Sequence, residues 1–351
     1  MSVTVIVGTA KGGFVLRSDD RRSWQIEGPF FKGWKVTTVA RADDGTFLIG
    51  AASDVYGAAI HKSKDLSDWR QVAQGPAYSE DEKRQLTQIW KLVVQDGAYY
   101  AGVAEAGLFR SEDRGETWQP MPGLNDHRSR SAWMPGAGGL CAHSILIDPA
   151  NPKRLWCGIS AVGVFRSDDG GDTWHPKNNG VPVILEDKEF SEIGFCVHAL
   201  AQDPDNADLI YRQDHRGMFR TKDGGDHWER IENGLPSGFG FPLVLDRETR
   251  ALYAAPLESD EFRLPCDGKF QIFRSRNGGD AWEPLTNGLP QEHAYAGVLR
   301  GAMDADHLAP CGVYVGTTSG DVFVSSDGGD RWNVLPYRLP RVHCVAAYVE
   351  G

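Results

Sequence analysis

The segment Ser167-Asp-Asp-Gly-Gly-Asp-Thr-Trp174 decides the fold, because its pattern recurs along the chain of 351 residues. A hydroxyl residue is followed two positions later by an acid or amide, then by glycine, and finally by tryptophan. Five copies share this frame: Ser111–Trp118, Ser167–Trp174, Thr221–Trp228, Ser275–Trp282 and Ser325–Trp332. Two earlier copies, Ser18–Trp24 and Ser63–Trp69, are one residue shorter and lack the glycine.

The seven tryptophans of this repeat are separated by 45, 49, 56, 54, 54 and 50 residues. A period of about 50 residues is typical of propeller blades or solenoid units. Each repeat contains short runs bounded by Asp, Asn, Gly and Pro, and such runs favour strands. In one repeat these runs are 198–201, 209–212, 217–221 and 227–231. Since four antiparallel strands form one blade, we predict an all-β fold, a seven-bladed β-propeller of four-stranded antiparallel blades.

The two ends of the chain predict how the propeller closes. Residues 3–8, 13–17 and 23–27 have the pattern of the second, third and fourth strands of a blade that lacks its first strand. Residues 342–349 form one unmatched strand after the seventh repeat. We therefore expect residues 1–351 to form a single domain whose ring is closed by the C-terminal strand in blade one, since closure removes long exposed edges.

The repeated hairpin has a local physical explanation. An aspartate side chain accepts hydrogen bonds from nearby backbone N–H groups and holds a turn closed, glycine adopts positive φ without steric cost, and tryptophan buries a large ring. The pattern resembles the Asp-box, or bacterial neuraminidase repeat, of sialidases and other propellers. In that family the box lies between the third and fourth strands, on the face opposite the active site. The resemblance therefore implies that the boxes are structural and that function lies at the other face.

Composition limits the function classes. Hydrophobic residues make up 41% of the chain, yet no apolar run approaches the about 18 residues of a membrane span. The N-terminal residues 1–8 contain no basic region or cleavage-like site, and the six cysteines form no CxxC motif. We therefore expect a cytoplasmic protein with reduced thiols and no membrane partner. The net charge of −11 disfavours nucleic acid as a partner.

Candidate site residues come from the face opposite the boxes. Alignment of the predicted innermost strands places five basic or imidazole side chains in one register: Lys91, His143, His198, Arg300 and His343. The loops between second and third strands add Glu105, Asp214, His215 and Arg216, and a long insert covers 257–268. Two long connections, 119–140 and 175–195, reach the same face, and the first contains Trp133. Long loops in a compact fold are usually functional, so we predict a pocket lined by blades three to six.

The first interpretation of this pocket is a sialidase-like glycosidase that binds and hydrolyses a glycan or another small molecule. The resemblance implies arginines that hold a carboxylate and a tyrosine nucleophile, an exception to the two-carboxylate rule. No Tyr–Glu pair can be matched residue by residue. Phe262-Arg263-Leu264-Pro265 looks like the family's Phe-Arg-Ile-Pro motif, but it lies in the sixth repeat and not before the first box, so we interpret it as chance. The candidate catalytic residues are Glu105, Asp214 and His215, and the candidate substrate-binding residues are Lys91, Arg216, Arg300 and Trp133.

The second interpretation is a metal-dependent enzyme. Imidazoles from separate blades can converge near a propeller axis, as in carotenoid-cleaving propellers, and neutral imidazole suits divalent transition metals. His143, His198 and His343 would be the ligands, with Glu105 or Asp214 orienting them. An open coordination position would activate water or a substrate oxygen. The alternative for these histidines is a hydrogen bond to a backbone carbonyl in a wet tunnel.

The third interpretation is a non-catalytic scaffold that binds or assembles proteins, as some Asp-box propellers do. An acidic surface would suit a basic protein partner. The polar register with its histidines favours a small molecule or glycan over a flat protein-binding face. Sequence alone therefore leaves three functions open and ranks a small ligand first.

Overall fold

The computed structural model describes residues 1–81 and 83–350, and almost all of its regular structure is β-strand. The first strands are β1 Ser2–Thr9, β2 Gly12–Ser18, β3 Gln25–Phe30, β4 Lys35–Arg41, β5 Phe47–Ser53, β6 Gly57–Ser63, β7 Arg70–Gln71, β8 Ile89–Gln95, β9 Ala98–Val103, β10 Gly107–Ser111 and β11 Gln119–Pro120. The middle strands are β12 Ala142–Ile147, β13 Leu155–Ile159, β14 Gly163–Ser167, β15 His175–Pro176, β16 Val197–Gln202, β17 Ile210–Asp214, β18 Gly217–Thr221 and β19 Glu229–Arg230. The last strands are β20 Gly240–Leu245, β21 Leu252–Pro256, β22 Ile272–Ser275, β23 Glu283–Leu285, β24 Met303–Ala305, β25 Val313–Gly316, β26 Val322–Ser325, β27 Asn333–Val334 and β28 Val342–Glu350.

Helical structure is confined to short segments. They are the helix α1, Pro122–Asn125, and two 3-10 turns, Arg130–Ala132 and Cys266–Gly268. Within residues 1–81 and 83–350, no helix combines the length and hydrophobicity that are needed to cross a bilayer.

The strands form seven four-stranded sheets, which confirms the predicted seven-bladed β-propeller with antiparallel blades. Six sheets take four consecutive strands each: β4–β7, β8–β11, β12–β15, β16–β19, β20–β23 and β24–β27. The remaining sheet has the order β28-β1-β2-β3, and in it Ser2 lies opposite Glu350 and Val5 lies opposite Ala347. The prediction that the last strand completes the first blade is therefore confirmed.

Contacts between Cα atoms divide the chain into two compact units. The first unit consists of Met1–Val36, Tyr211–Arg220 and Arg230–Gly351, and the second consists of Thr37–Ile210 and Thr221–Glu229. Each unit has a buried core of its own, since Tyr253 and Phe323 belong to a core of the first unit and Phe165 and Trp174 to one of the second. That residues 1–351 behave as one domain stays a prediction.

The box hairpins are closed by their own side chains. In the copy quoted first, the Ser167 hydroxyl donates to Asp169 Oδ1 at 2.7 Å and accepts the N–H of Gly171 at 2.8 Å. Asp169 Oδ1 also accepts the N–H of Thr173 at 2.9 Å. The indole Nε1 of Trp174 donates to the Gly171 carbonyl at 3.0 Å, and the ring is buried. These contacts confirm the role predicted for the aspartate, which satisfies backbone N–H groups that the tight turn leaves unpaired.

The two shorter boxes keep the same arrangement without glycine. Asp20 Oδ1 accepts the N–H groups of the second and third residues after it, at 2.8 and 2.7 Å, and Asp65 Oδ1 does the same at 2.9 and 2.8 Å. The residue that follows each aspartate, Arg21 or Leu66, adopts a left-handed backbone with φ of 57° or 67°. In these two boxes a non-glycine residue therefore occupies the left-handed position, at a cost in backbone strain, and the turn still forms.

Recurring Asn-Gly turns form hydrogen bonds with the box of the repeat that follows them in sequence. The backbone N–H of Trp228 donates to the carbonyl of Asn179 at 2.9 Å within the second unit. In the first unit, Trp282 donates in the same way to Asn233 at 2.9 Å. The indole Nε1 atoms of Trp228 and Trp282 also donate to the preceding repeat, to the carbonyls of Lys177 and Ile231, so both the backbone and the ring of these tryptophans are held by it.

Candidate functional site

Strand β20 of the sixth blade begins beside an apolar cluster that is separate from the main core of the first unit. The cluster consists of Phe239, Phe241 and Leu257, all of which are buried. The two phenylalanine rings lie 5.4 Å apart between centroids at an interplanar angle of 74°, an edge-to-face geometry that aromatic pairs favour. Leu257 donates its backbone N–H to the Phe239 carbonyl at 2.7 Å. The cluster therefore fixes the start of the 257–271 connection against β20.

The 257–271 connection between β21 and β22 folds back on itself. The N–H of Glu258 donates to the Leu264 carbonyl at 2.7 Å, and the N–H of Arg263 donates to the Ser259 carbonyl at 3.0 Å. Arg263 adopts a left-handed backbone with φ of 53°, and its Nε donates to the Asp260 carbonyl at 3.1 Å. These bonds hold the polar residues of the connection in defined positions.

A histidine from the fifth blade meets this connection. His215 lies in the two-residue turn between β17 and β18, and its Nε2 lies 2.8 Å from Asp260 Oδ2. The edge of the imidazole packs against Phe239, with centroids 5.2 Å apart at 82°. The hydrogen bond with His215 is the main cause that lowers the pKa of the Asp260 carboxyl. The sequence predicted His215 as a site residue but missed Asp260, which lies 45 residues further along the chain.

Two arginines approach a single ring of the cluster. The guanidinium carbon of Arg300 lies 5.1 Å from the centroid of Phe241, and that of Arg263 lies 5.7 Å from the same centroid. Both distances are within the range of cation–π attraction. We call the set of residues that these contacts define the Phe241 site: His215, Phe239, Phe241, Asp260, Arg263 and Arg300.

The chemistry available at the Phe241 site follows from its side chains. Guanidinium groups bind carboxylate and phosphate oxygens with paired hydrogen bonds. Imidazole takes up and releases protons near neutral pH, and a carboxylate bonded to one ring nitrogen orients the ring and stabilises its protonated form. The predicted residues His215 and Arg300 both belong to the site. Sequence reasoning noted the insert and interpreted the Phe262–Pro265 motif as chance, and it did not select Arg263 as a site residue.

Asp214, a predicted catalytic residue, lies in a buried ion pair. Nε and Nη2 of Arg212 lie 2.9 and 2.6 Å from Asp214 Oδ2, and both side chains are fully buried. Asp214 Oδ1 accepts the N–H of Arg216 at 2.9 Å, while the Arg216 side chain is exposed. These contacts make Asp214 a group that fixes the turn carrying His215. Its burial disfavours the predicted role in proton transfer.

His343 in the first unit was predicted as a metal ligand. It lies on β28 and is half-buried. Burial, together with the positive charges of Lys35 and Arg341, lowers the pKa of His343 to about 4. The imidazole is therefore neutral near neutral pH, which is the form that binds metals.

Two predicted metal ligands lie in the second unit, on β12 and β16. His143 is buried, with Nε2 2.9 Å from the Val197 carbonyl oxygen and Nδ1 3.1 Å from the Ser144 hydroxyl. This is the backbone contact that the sequence left open as the alternative to metal binding. His198 is also buried. The three-histidine metal centre stays a prediction.

The other predicted residues of the second unit differ in exposure. Lys91 and Glu105 are exposed, and the Glu105 carbonyl accepts a hydrogen bond from Arg130. Trp133 is buried, and its Nε1 donates to the Ser129 hydroxyl at 2.9 Å. The guanidinium of Arg130 covers its ring at 4.5 Å. Because Trp133 packs in the core, its position disfavours the predicted contact with a substrate.

A family model confirms the type of propeller. The model described as BNR/Asp-box repeat matches residues 165–176, which contain the hairpin quoted first. Together with the seven blades, this match shows a seven-bladed propeller that carries an Asp-box repeat. In this descriptive sense we call the chain an Asp-box propeller.

Two of the three matching curated proteins illustrate the sequence similarity of this Asp-box propeller. A probable oligoxyloglucan-reducing end-specific xyloglucanase of Neosartorya fischeri is 28% identical over 224 residues, which is 60% of this chain and 25% of that protein. The xyloglucanase Xgh74A of Acetivibrio thermocellus is 24% identical over 305 residues, which is 71% of this chain and 33% of that protein. The propeller thus spans a quarter to a third of the length of these relatives.

Among solved structures, an ancestral GH74 enzyme is similar to the Asp-box propeller with a TM-score of 0.59 and 17% sequence identity. The match covers 86% of this chain and 38% of that one. At this identity the likeness supports the fold alone.

Proposed function

We propose that this Asp-box propeller binds a glycan at the Phe241 site. The observation that carries the proposal is that two exposed aromatic rings, one on the 257–271 connection and one packed against it, lie beside charged groups. Phe262, which precedes Arg263, is 56% exposed, and Tyr295 is 60% exposed. Tyr295 lies against the same connection, since a Cβ atom added at Gly268 would be 3.4 Å from its ring. Aromatic faces beside a few convergent polar groups are suited to hold the apolar face and the hydroxyls of a sugar.

The curated relatives support the same class of ligand. Both carry names that describe xyloglucanases, so related sequences act on a glycan. The chain covers only 25% and 33% of these proteins, and we therefore extend glycan binding, and not xyloglucan hydrolysis, to it.

The proposal is tested with the variants Phe262→Ala and Tyr295→Ala, by calorimetric titration with a panel of neutral and acidic oligosaccharides. We expect each variant to weaken binding of the best ligand by about tenfold, because an aromatic contact contributes about 1 kcal/mol beyond its buried area. Tyr56→Ala is the matched control, since Tyr56 is 77% exposed and lies in the second unit. The absence of binding by any oligosaccharide, or equal binding by all four proteins, would overturn the proposal.

A further inference from the structure

Three segments of the first unit meet at the end of β2 that lies away from its box. They are 9–13 around the turn between β1 and β2, 28–36 from the end of β3 to the start of β4, and 336–345 around the start of β28. The N–H of Ala10 donates to the Arg341 carbonyl at 2.9 Å, and the N–H of Gly33 donates to the Lys11 carbonyl at 3.0 Å. Backbone hydrogen bonds therefore hold the three segments side by side, and we call them the Lys11 surface.

The Lys11 surface carries positive charge and no negative charge of its own. Its segments contain five lysines and arginines and no aspartate or glutamate, within a chain whose net charge is −11. These residues are Lys11, Lys32, Lys35, Arg338 and Arg341. Four of the five are exposed, and Lys35 is half-buried. A local positive region in an acidic chain favours an anionic ligand.

The fold does not neutralise these cations. In the part of the chain that the structure describes, the side chains of Lys11, Lys32 and Arg341 form no ion pair. The half-buried His343 lies among the same charges, and burial together with the positive charges of Lys35 and Arg341 lowers its pKa. No carboxylate contributes an opposite effect on His343.

One neighbouring turn brings a single acid to this surface. The turn 317–321 contacts it through the Gly320 carbonyl, which accepts the N–H of Leu339 at 3.1 Å. The carboxylate of Asp321 is the one negative charge of this turn, and its Oδ2 accepts the Ser319 hydroxyl at 2.7 Å. One carboxylate therefore stands against five cations, and the excess charge is available to a ligand.

Aromatic rings lie among the cations. Trp34 stands between Lys32 and Lys35 in sequence, and its backbone N–H donates to the Phe31 carbonyl at 2.9 Å. The ring of Phe31 lies 6.4 Å from that of Trp34 and 5.9 Å from that of Phe30, between centroids. All three aromatic residues are half-buried, so their rings are fixed by packing and still reach the surface. Such rings suit the apolar face of a sugar.

We propose that the Lys11 surface binds an anionic glycan, which carries carboxylate or sulfate groups on its sugar rings. The ammonium groups of Lys11 and Lys32 and the guanidinium of Arg341 bind acidic groups that are spaced along the glycan. Phe31 and Trp34 contact the sugar rings between these groups. The surface shares no residue with the Phe241 site, so this inference does not rest on the proposed function.

Two other kinds of polyanion fit this surface less well. Double-stranded DNA carries one negative charge per about 1.7 Å of its axis, and the net negative charge of the chain repels so dense a charge. An acidic peptide supplies spaced carboxylates but no sugar ring for the aromatic residues. An acidic polysaccharide combines a lower charge density with ring faces.

The test titrates the full chain by calorimetry with a uronate oligosaccharide, a sulfated oligosaccharide, a neutral xyloglucan oligosaccharide, polyglutamate and single-stranded DNA. At least one acidic glycan should bind more tightly than the other three ligands, with an affinity that decreases as salt screens the charges. The arm that binds better identifies the acidic group as carboxylate or sulfate. The double variant Lys32→Gln/Arg341→Gln should weaken this binding by about tenfold, because each exposed ion pair contributes a few-fold to affinity. Trp34→Leu, which keeps apolar bulk without the ring, should weaken it by about fivefold.

The matched control removes the same two charges elsewhere. Lys222 and Arg276 are 65% and 63% exposed and lie within boxes, so Lys222→Gln/Arg276→Gln should leave the affinity unchanged. Equal weakening by both double variants would mean that the ligand responds to net charge alone, and the Lys11 surface would not be a site. Thermal melting of each variant excludes loss of folding as the cause of weaker binding.

The remaining outcomes separate this inference from the proposed function. Phe262→Ala and Tyr295→Ala at the Phe241 site should not change binding of the acidic glycan. If those variants lose it while Lys32→Gln/Arg341→Gln keeps it, the glycan binds at the Phe241 site, which refutes this inference and supports the proposed function. Tighter binding of polyglutamate or DNA than of both acidic glycans would refute the glycan assignment, and so would failure of both acidic glycans to bind.

Discussion

Strand β22 of the sixth blade has a different kind of connection at each end. The box after it is closed by local contacts: the Ser275 hydroxyl donates to Asn277 Oδ1 at 2.9 Å and accepts the N–H of Gly279 at 2.9 Å. In the 257–271 connection before it, Asp260 binds His215 from the preceding blade, and Arg263 covers Phe241 on β20. The Ser275 and Asn277 side chains thus satisfy their own hairpin, whereas the Asp260 and Arg263 side chains contact other elements of the fold.

The largest change in stability is expected when the box tryptophan of the same blade is replaced. Trp282 is buried, and its Nε1 donates to the Ile231 carbonyl at 2.8 Å. Trp282→Ala should lower the free energy of unfolding by about 3–5 kcal/mol, because it creates a cavity in a packed core. Urea denaturation measures this loss, and titration under conditions where the variant is folded should show unchanged glycan affinity.

Tyr295→Ala is the matched variant beside the 257–271 connection. Because Tyr295 is 60% exposed, its removal should change the free energy of unfolding by no more than about 0.5 kcal/mol, while glycan affinity decreases. A stable Trp282→Ala protein that has lost glycan binding would show that boxes take part in recognition. That result would remove the distinction between the two ends of β22.

The same contrast explains what the sequence could predict. The contacts of a box join residues separated by two to four positions, as between Ser167, Asp169 and Gly171, so spacing alone predicts them. Asp260 and His215 are 45 residues apart, and no local pattern indicates which partner a loop aspartate will choose. His143 shows a further limit, because the strand register gives its position but not the Val197 carbonyl that its ring contacts.

A smaller effect is expected from two glycines at the two ends of β22. Gly279 in the box has φ of +94°, and a Cβ atom there would overlap the side chain of Ile231. Gly268 has φ of +65°, which lies near the left-handed region that other residues adopt at moderate cost. Gly279→Ala should lower the free energy of unfolding by about 2–3 kcal/mol, and Gly268→Ala by about 1 kcal/mol. Urea denaturation measures both losses of stability. A larger loss for Gly268→Ala than for Gly279→Ala would contradict the contrast between the two connections.

The smallest effect concerns the charge of the box aspartate, which the sixth blade replaces with Asn277. In the third blade, hydrogen bonds from Thr117 lower the pKa of Asp113 to about 2, below the about 4 of an unfolded chain. Its contribution to stability is therefore present above about pH 4 and is lost as the pH falls towards about 2. Asp113→Asn should keep the acceptor oxygen and abolish this pH dependence. Because Asp113 is exposed, we expect a small change, which solvent screening reduces further.

Denaturation of the parent protein and of Asp113→Asn at about pH 7 and about pH 3 measures what this charge contributes to stability. The difference in free energy of unfolding between the two proteins should be smaller at the lower pH. Asn277 shows that an amide can form the box, since its Oδ1 accepts the N–H of Ala281 at 3.0 Å. The reciprocal variant Asn277→Asp should therefore gain stability at neutral pH and lose it on acidification. Parallel pH curves for the parent and both variants would mean that the aspartate acts only as a hydrogen-bond acceptor. In that case only the shape of the box, and not its charge, would distinguish it from the 257–271 connection.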